Sequence, residues 1–489
     1  MLSLYRLLKG RIAKLGEYYR TSDFGAILRH SKNYFTGALS VAALQVIALS
    51  VFTRLLSVEE YGIFQVTKTC YRVAIVIIPL NFYGAVSRYY YEEHSDYRDF
   101  FATSLSGAYF FALSFIIFIL IFSTQVTKLL GLPHSLLPWL CAWTFLGIIF
   151  QTYLQIAIAT KRSASLAIVQ TLREGAGLLF GVLFVLFLTS NRYRGVIIGK
   201  AVAEGALALA LLPFLFRWLK WRPKKQHFHF IMIFALPLLL HQLSHIILGQ
   251  IDRLIINKLS GPSDAGLYSL AYNIGMIVSM ASAATSKALV PDWFRLMKRK
   301  DYVRVDNAVD KVFRLNLIIA FGAILFSREM GSIIAGQEFR ASLGLVPIII
   351  TGYVFHTIFQ AYGRNISLSK KMIYLLLIGI LASTLNVFLN IWLIPKSGYS
   401  AAAYTTAISF IFMGLSSWFV ARIILDQRVT EIAIFFKPCA AYFVGVFGYY
   451  ALLHFDLNAF VEMPCKLALF IAFGIIIGNK FDLIKIRDS

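Results

Sequence analysis

Two cations four residues apart, Lys68 and Arg72, interrupt the stretch EEYGIFQVTKTCYRVAIVIIPL (59–80), which is otherwise apolar enough to cross a bilayer. That spacing puts both on one face of a helix, and Gln65 shares it. At about 1.5 Å of rise per residue, Arg72 lies about 15 Å beyond Gly62, near the middle of a hydrocarbon core about 30 Å thick. A cation at that depth costs at least about 2.5–3.5 kcal/mol, and no acid lies nearby on the same helix. The chemistry such a pair fits is recognition of an anion. A guanidinium grips phosphate oxygens bidentately and an ammonium meets them as a point charge, so binding would offset the insertion cost.

Further charges fall inside apolar runs. Arg173 and Glu174 are adjacent, point about 100° apart on a helix, and are expected to meet other helices. Lys200 and Glu204 are spaced i, i+4, which suits an intrahelical pair as well as a lining role. Asp252 precedes Arg253, and both Arg253 and Lys287 stand where a side chain can snorkel to a membrane surface. These cations outnumber the acids, and lipid cannot solvate them, so they must face the interior or a wet cavity. The substrate-binding candidates are therefore Gln65, Lys68, Arg72, Arg173, Lys200 and Arg253.

A second stripe, His241, His245 and Asp252, lies on one helix face, with Pro237 and Gly249 as bend points. Pore-lining hydrogen bonding is its plain reading. The alternative is coupling to a proton or Na⁺ through the histidines or Asp252, with Glu174 and Glu204 as further candidates. The two histidines have the spacing of a metal pair, but no third ligand follows, so neither a metal nor a cofactor is expected.

The elements that must position these residues are membrane spans. The chain has 489 residues, 58% hydrophobic and only 15% charged, with a mean hydropathy of +0.71. A soluble domain carries about a quarter charged residues, so a soluble protein is excluded. Apolar runs fall near 34–56, 62–87, 100–122, 136–159, 164–189, 195–216, 229–257, 266–290, 312–335, 342–363, 372–394, 399–421, 432–453 and 461–478. They predict an all-α polytopic membrane protein of about 14 transmembrane helices. The net charge of +23 would suggest nucleic acid in a soluble chain. Here it sits mostly in short loops, so no nucleic-acid partner is expected. RWLKWRPKK (217–225), RLMKRKDYVR (295–304), Lys370 and Lys371 share one side with the basic N-terminus and with Lys480, Lys485 and Arg487. The opposite loops carry one or two basic residues each, Lys466 among them. Both termini are therefore expected in the cytoplasm. Residues 1–32 are basic, without a signal-peptide core, and suit an interfacial helix bearing Leu2, Leu4, Leu7 and Leu8 or a solvated tail. The four cysteines form no C-x-x-C pair. Tyr268 and Tyr272 are read mainly as core, and YEEHSD (91–96) as a solvated turn.

The spans repeat. FQTYLQ (150–155) returns as FHTIFQ (355–360), YGIF (61–64) as AGLY (265–268), and TRLL (53–56) resembles DRLI (252–255). Six helices separate equivalent positions, so both halves enter the membrane the same way, as in a parallel repeat. The expected divisions are 1–32, a first six-helix lobe at 33–217, a second at 218–425, and two appended helices with a tail at 426–489.

This duplicated bundle with two extra helices resembles the MOP exporter superfamily. The motif RLLSVEEYGIFQ (54–65), with its echo LSGPSDAGLYSLAYNIG (259–275), resembles the polysaccharide-transport branch, the Wzx-type O-antigen and exopolysaccharide flippases. The resemblance implies movement of an undecaprenyl-diphosphate-linked oligosaccharide from the inner to the outer leaflet of a bacterial inner membrane. It implies that lipid as partner, with membrane lipids, a polysaccharide polymerase and glycosyltransferases. The cationic pair is not repeated: at the same offset, Lys68 and Arg72 fall on Tyr272 and Met276. The rivals are a lipid II flippase, a drug/cation antiporter of the same superfamily, and a membrane glycosyltransferase or ligase. An antiporter for cations needs buried carboxylates in excess, and an enzyme needs catalytic acids in a large loop. The sequence offers neither, and no enzyme is expected.

Overall fold

The computed structural model describes residues 23–92, 96–219, 224–455 and 458–478. The expected interfacial leucines, the basic residues up to Arg20, and Lys480, Lys485 and Arg487 lie outside the described residues. Within them the protein is helical and without strands. Twelve helices are long and apolar enough to cross a membrane, and two bent pairs bring the number to 14.

The first half runs α1 (Asp23–Leu55), α2 (Val58–Ile77), α3 (Val86–Tyr91), α4 (Tyr97–Ile121), α5 (Ser123–Leu130), α6 (Leu137–Ala159), α7 (Ser163–Phe187) and α8 (Tyr193–Phe216). The second runs α9 (Lys225–Ser260), α10 (Pro262–Lys298), α11 (Tyr302–Leu325), α12 (Ser327–Ile334), α13 (Val346–Leu368), α14 (Ile373–Ser397) and α15 (Ala401–Phe419). Two appended helices follow, α16 (Ala433–His454) and α17 (Ala459–Gly478). The halves keep register: α5 and α12 are each 8 residues, α6 and α13 each 23, α7 and α14 each 25. The packing repeats as well. α8 packs on α6 and α7, and α15 on α13 and α14.

The second predicted span is not straight. α2 and the short helical segment 82–91 meet at 56°. Pro79 has no N–H to donate to the carbonyl of Ile75. The Tyr83 hydroxyl donates to that carbonyl instead, at 3.0 Å, and Leu80 and Asn81 turn through positive φ. The ninth span also bends, by 63° between α11 and α12, where the Ser327 hydroxyl donates back to the Ile324 carbonyl. The outward faces carry Ile121, Phe187, Leu209, Val444, Phe447 and Phe460, all exposed, as helices bathed in lipid require.

The chain divides into two compact units. One holds the described residues up to Val51 with Cys70–Leu239, and the other holds Phe52–Thr69 with the described residues from Leu240. The division falls inside α1, inside α2 and inside α9.

Candidate functional site

The first unit collects most of the predicted intramembrane charge. Arg173 on α7 donates through Nε to both oxygens of Glu204 on α8, at 3.0 and 2.9 Å, and through Nη2 to the Tyr71 hydroxyl at 2.7 Å. Its guanidinium carbon stands 4.3 Å from the Phe150 ring centre, and Tyr71 stacks on Trp143 at 3.9 Å. Glu204 is buried, while Arg173 keeps some exposure. The expected intrahelical pair of Lys200 with Glu204 does not form, because Arg173 occupies that carboxylate. Lys200 lies instead 6.0 Å over the Trp143 ring, within electrostatic reach of Arg72, Arg173, Glu174 and Glu204. Among the described residues, Arg173 and Lys200 thus stand beside aromatic rings with two carboxylates and Arg72 in electrostatic reach.

The second unit holds the other candidates. Lys68 is half-buried and Gln65 buried on α2. Arg253 is 1% exposed. It donates to the Gly249 carbonyl at 3.1 Å, Gln250 Oε1 at 3.2 Å and Asn273 Oδ1 at 3.4 Å, and its guanidinium lies 4.5 Å over Tyr272. So enclosed, Arg253 does not reach the surface. Asp252 is wholly buried and accepts from the Tyr268 hydroxyl at 2.6 Å, Asn390 Nδ2 at 2.7 Å and the Thr406 hydroxyl at 2.8 Å. Thr405 and Asn386 close the ring around Asn390. Tyr268 and Tyr272 are core residues, as read. His241 and His245 stand edge to face at 4.8 Å, His245 exposed. No group of three metal-binding side chains occurs among the described residues.

Other charged groups were read differently in sequence or passed over. Lys466 is a residue of α17, completely buried, with its ammonium 2.6 Å from Glu329 and 2.7 Å from Glu462. It is therefore an intramembrane ion pair rather than a loop cation, and its i, i+4 spacing from Glu462 was the signal. Arg314 pairs with Asp310 at 2.8 Å, and Arg364 lies on α13. Lys287 is exposed on α10, as a snorkelling residue requires. Asp96, read as a solvated turn residue, accepts from Tyr89 at 2.7 Å and lies 2.8 Å from His227 Nε2 and 3.3 Å from Lys224. The Tyr89 hydroxyl, with help from His227 and Lys224, holds the Asp96 carboxyl well below its ordinary range.

Residues 27–297, more than half of the chain, match the family described as polysaccharide biosynthesis protein. The chain belongs to that family. Similar proteins include Lsg locus putative protein 1 of Haemophilus influenzae, 25% identical over 76% of this chain and 94% of that protein. Another is the probable low-salt glycan biosynthesis flippase Agl15 of Haloferax volcanii, 20% identical over 78% of this chain and 81% of its own. Among solved structures, the lipid II flippase MurJ in an inward closed conformation superposes with a TM-score of 0.73 at 14% identity, covering 91% of this chain and 98% of its own. An inward-facing MATE multidrug transporter of the MOP superfamily gives 0.60 at 12% identity, over 79% and 94%. This member of the polysaccharide biosynthesis family therefore has the MOP fold, a membrane transporter fold shared by flippases.

Proposed function

We propose that this protein flips an undecaprenyl-diphosphate-linked oligosaccharide from the cytoplasmic to the outer leaflet of a bacterial inner membrane, for surface polysaccharide synthesis. The observation that carries the reading is the gathering of Arg72, Arg173 and Lys200 with Glu174 and Glu204 in the spans of the first unit, beside the Phe150 and Trp143 rings. A diphosphate is the anion that a membrane offers at this depth with a glycan on one side and a prenyl chain on the other. Charge and aromatic rings together suit phosphate and sugar, while the tail stays in lipid. Lys68, Gln65 and Arg253 extend the same chemistry in the second unit. The two six-helix lobes, 33–217 and 218–425, would alternate access by rocking, with 426–489 appended. Both termini then face the cytoplasm, and the glycosyltransferases and polymerase on either side of the step are its working partners.

The test is a reconstituted flipping assay in vesicles with a fluorescent prenyl-diphosphate oligosaccharide. Arg72→Ala abolishes flipping with insertion intact, and Arg72→Lys retains part. Normal flipping by Arg72→Ala would remove the headgroup assignment. The lipid II flippase reading differs in the glycan alone and is separated by offering both lipids to one preparation.

A second reading concerns coupling. Among the described residues, the hydrogen-bond donors to Asp252 are neutral side chains from α10, α14 and α15, with the Arg253 charge in electrostatic reach. We infer that this carboxylate is the ion-coupling group, exchanging its donors for Na⁺ or a proton. Flipping that ignores both Na⁺ and pH gradients, or an Asp252→Asn variant that still responds to them, would refute it.

A further inference from the structure

Arg364 lies in the last turns of α13, and among the described residues no carboxylate reaches it. Three other cations in the spans are matched: Arg173, Arg314 and Lys466 each meet a carboxylate within 2.9 Å. The Nε–H of Arg364 is buried with no hydrogen-bond partner, and its guanidinium carbon lies 5.9 Å over the buried ring of Trp293. An unmatched guanidinium is a costly group to keep in a span unless something anionic visits it.

The rest of its helix face is polar too. His356, Gln360 and Arg364 follow at i, i+4 and i+8, on one side of α13. Gln360 Nε2 and His356 Nδ1 are 3.3 Å apart. All three side chains are half-buried on a helix whose other faces are packed. His356 is within electrostatic reach of His245 on α9, which meets His241. One polar track therefore runs through the second unit, with a cation at one end and amide and imidazole groups along it.

We propose that this track is a second headgroup subsite. Arg364 grips diphosphate oxygens as a planar fork, and Gln360, His356, His245 and His241 hydrogen-bond the sugar hydroxyls next to it. The inference rests on the flippase reading and adds to it a subsite within the second unit. Arg364 lies close to Lys370 and Lys371 in sequence, on the side assigned to the cytoplasm, so it serves loading.

The experiment uses the full-length protein in phosphatidylcholine nanodiscs and measures binding of undecaprenyl diphosphate, inorganic diphosphate and phosphatidylglycerol by native mass spectrometry. Arg364→Gln should weaken undecaprenyl diphosphate about tenfold, with Arg364→Lys recovering part because charge survives without the fork. Gln360→Glu keeps the arginine but sets a carboxylate one turn away, and should weaken the same lipid. Inorganic diphosphate should follow the same order, and phosphatidylglycerol should not respond. Wild-type affinity in both Arg364→Gln and Gln360→Glu overturns the subsite, as does an equal loss of phosphatidylglycerol, which marks a general anionic-lipid contact. If those variants are silent while Arg72→Ala loses binding, the flippase reading stands and this inference alone fails. If the wild type does not bind undecaprenyl diphosphate, both fail.

Discussion

Gly62 and Gly266, 204 positions apart and equivalent in the repeat, pack against each other. A Cβ on Gly62 would lie 1.8 Å from the Pro262 carbonyl oxygen, and one on Gly266 would lie 2.3 Å from that of Val58. Each glycine thus abuts the carbonyl of the residue four before the other. The contact has the form of a two-fold axis between α2 and α10, and it explains why YGIF and AGLY survive as echoes. Such close backbone approach holds helices together in a membrane, where the hydrophobic effect does not.

Gly62→Ala and Gly266→Ala should each destabilise the protein by about 1–3 kcal/mol or more, since backbone cannot yield as a side chain can. Gly474→Ala, with nothing within 4 Å of its added methyl, is the control and should be neutral or stabilising. A melting curve read by thiol labelling of the buried Cys70 and Cys141 measures all three.

Glu204→Gln leaves the partly exposed Arg173 without its carboxylate. Breaking a fully buried pair from one side costs about 3–5 kcal/mol, and solvent at Arg173 reduces that, so melting should fall by less than the full amount. The double variant Arg173→Gln/Glu204→Gln should recover much of that loss. If flipping stays absent in the double variant, the pair acts on substrate as well as on the fold.

Lys466→Met removes the buried cation between Glu329 and Glu462. It should destabilise by about 3–5 kcal/mol, and adding Glu329→Gln and Glu462→Gln should restore stability. Limited proteolysis after Phe455, in the α16–α17 connection, would report loosening of the appended pair before global unfolding.

The Asp96 cluster predicts a two-sided pH window. The folded Asp96 carboxyl is held below its ordinary value of 3.8, so its stabilisation is present above 3.8 and is lost as pH falls through the folded value. Lys224, hydrogen-bonded to Asp99 and Asp96, is held above its ordinary 10.5, so its contribution is present below 10.5 and is lost as pH rises through the folded value. Melting temperatures should fall at both extremes, and Asp96→Asn should flatten the acid arm and weaken the alkaline one, which Asp99 still supports.

Composition and the apolar runs were enough to establish a polytopic all-α membrane protein, because hydropathy over about 20 residues is a one-dimensional property. The duplication was legible for the same reason: three short echoes at a constant offset need no contacts. Lys68, Arg72, Arg173 and Glu204 could be singled out because a charge in a span is conspicuous wherever it points. What each charge meets was not legible. Glu204 looked equally suited to Lys200 on its own helix, and helix packing assigned it to Arg173. Lys466 looked like a loop cation although it falls within the run at 461–478, and packing set its ammonium between Glu329 and Glu462. The Asp252 ring draws Tyr268, Asn390 and Thr406 from up to 154 positions away, and Arg364 matters because no acid among the described residues reaches it. Span identity follows from local transfer free energy, whereas partnership depends on which helix faces the tertiary packing turns toward each other.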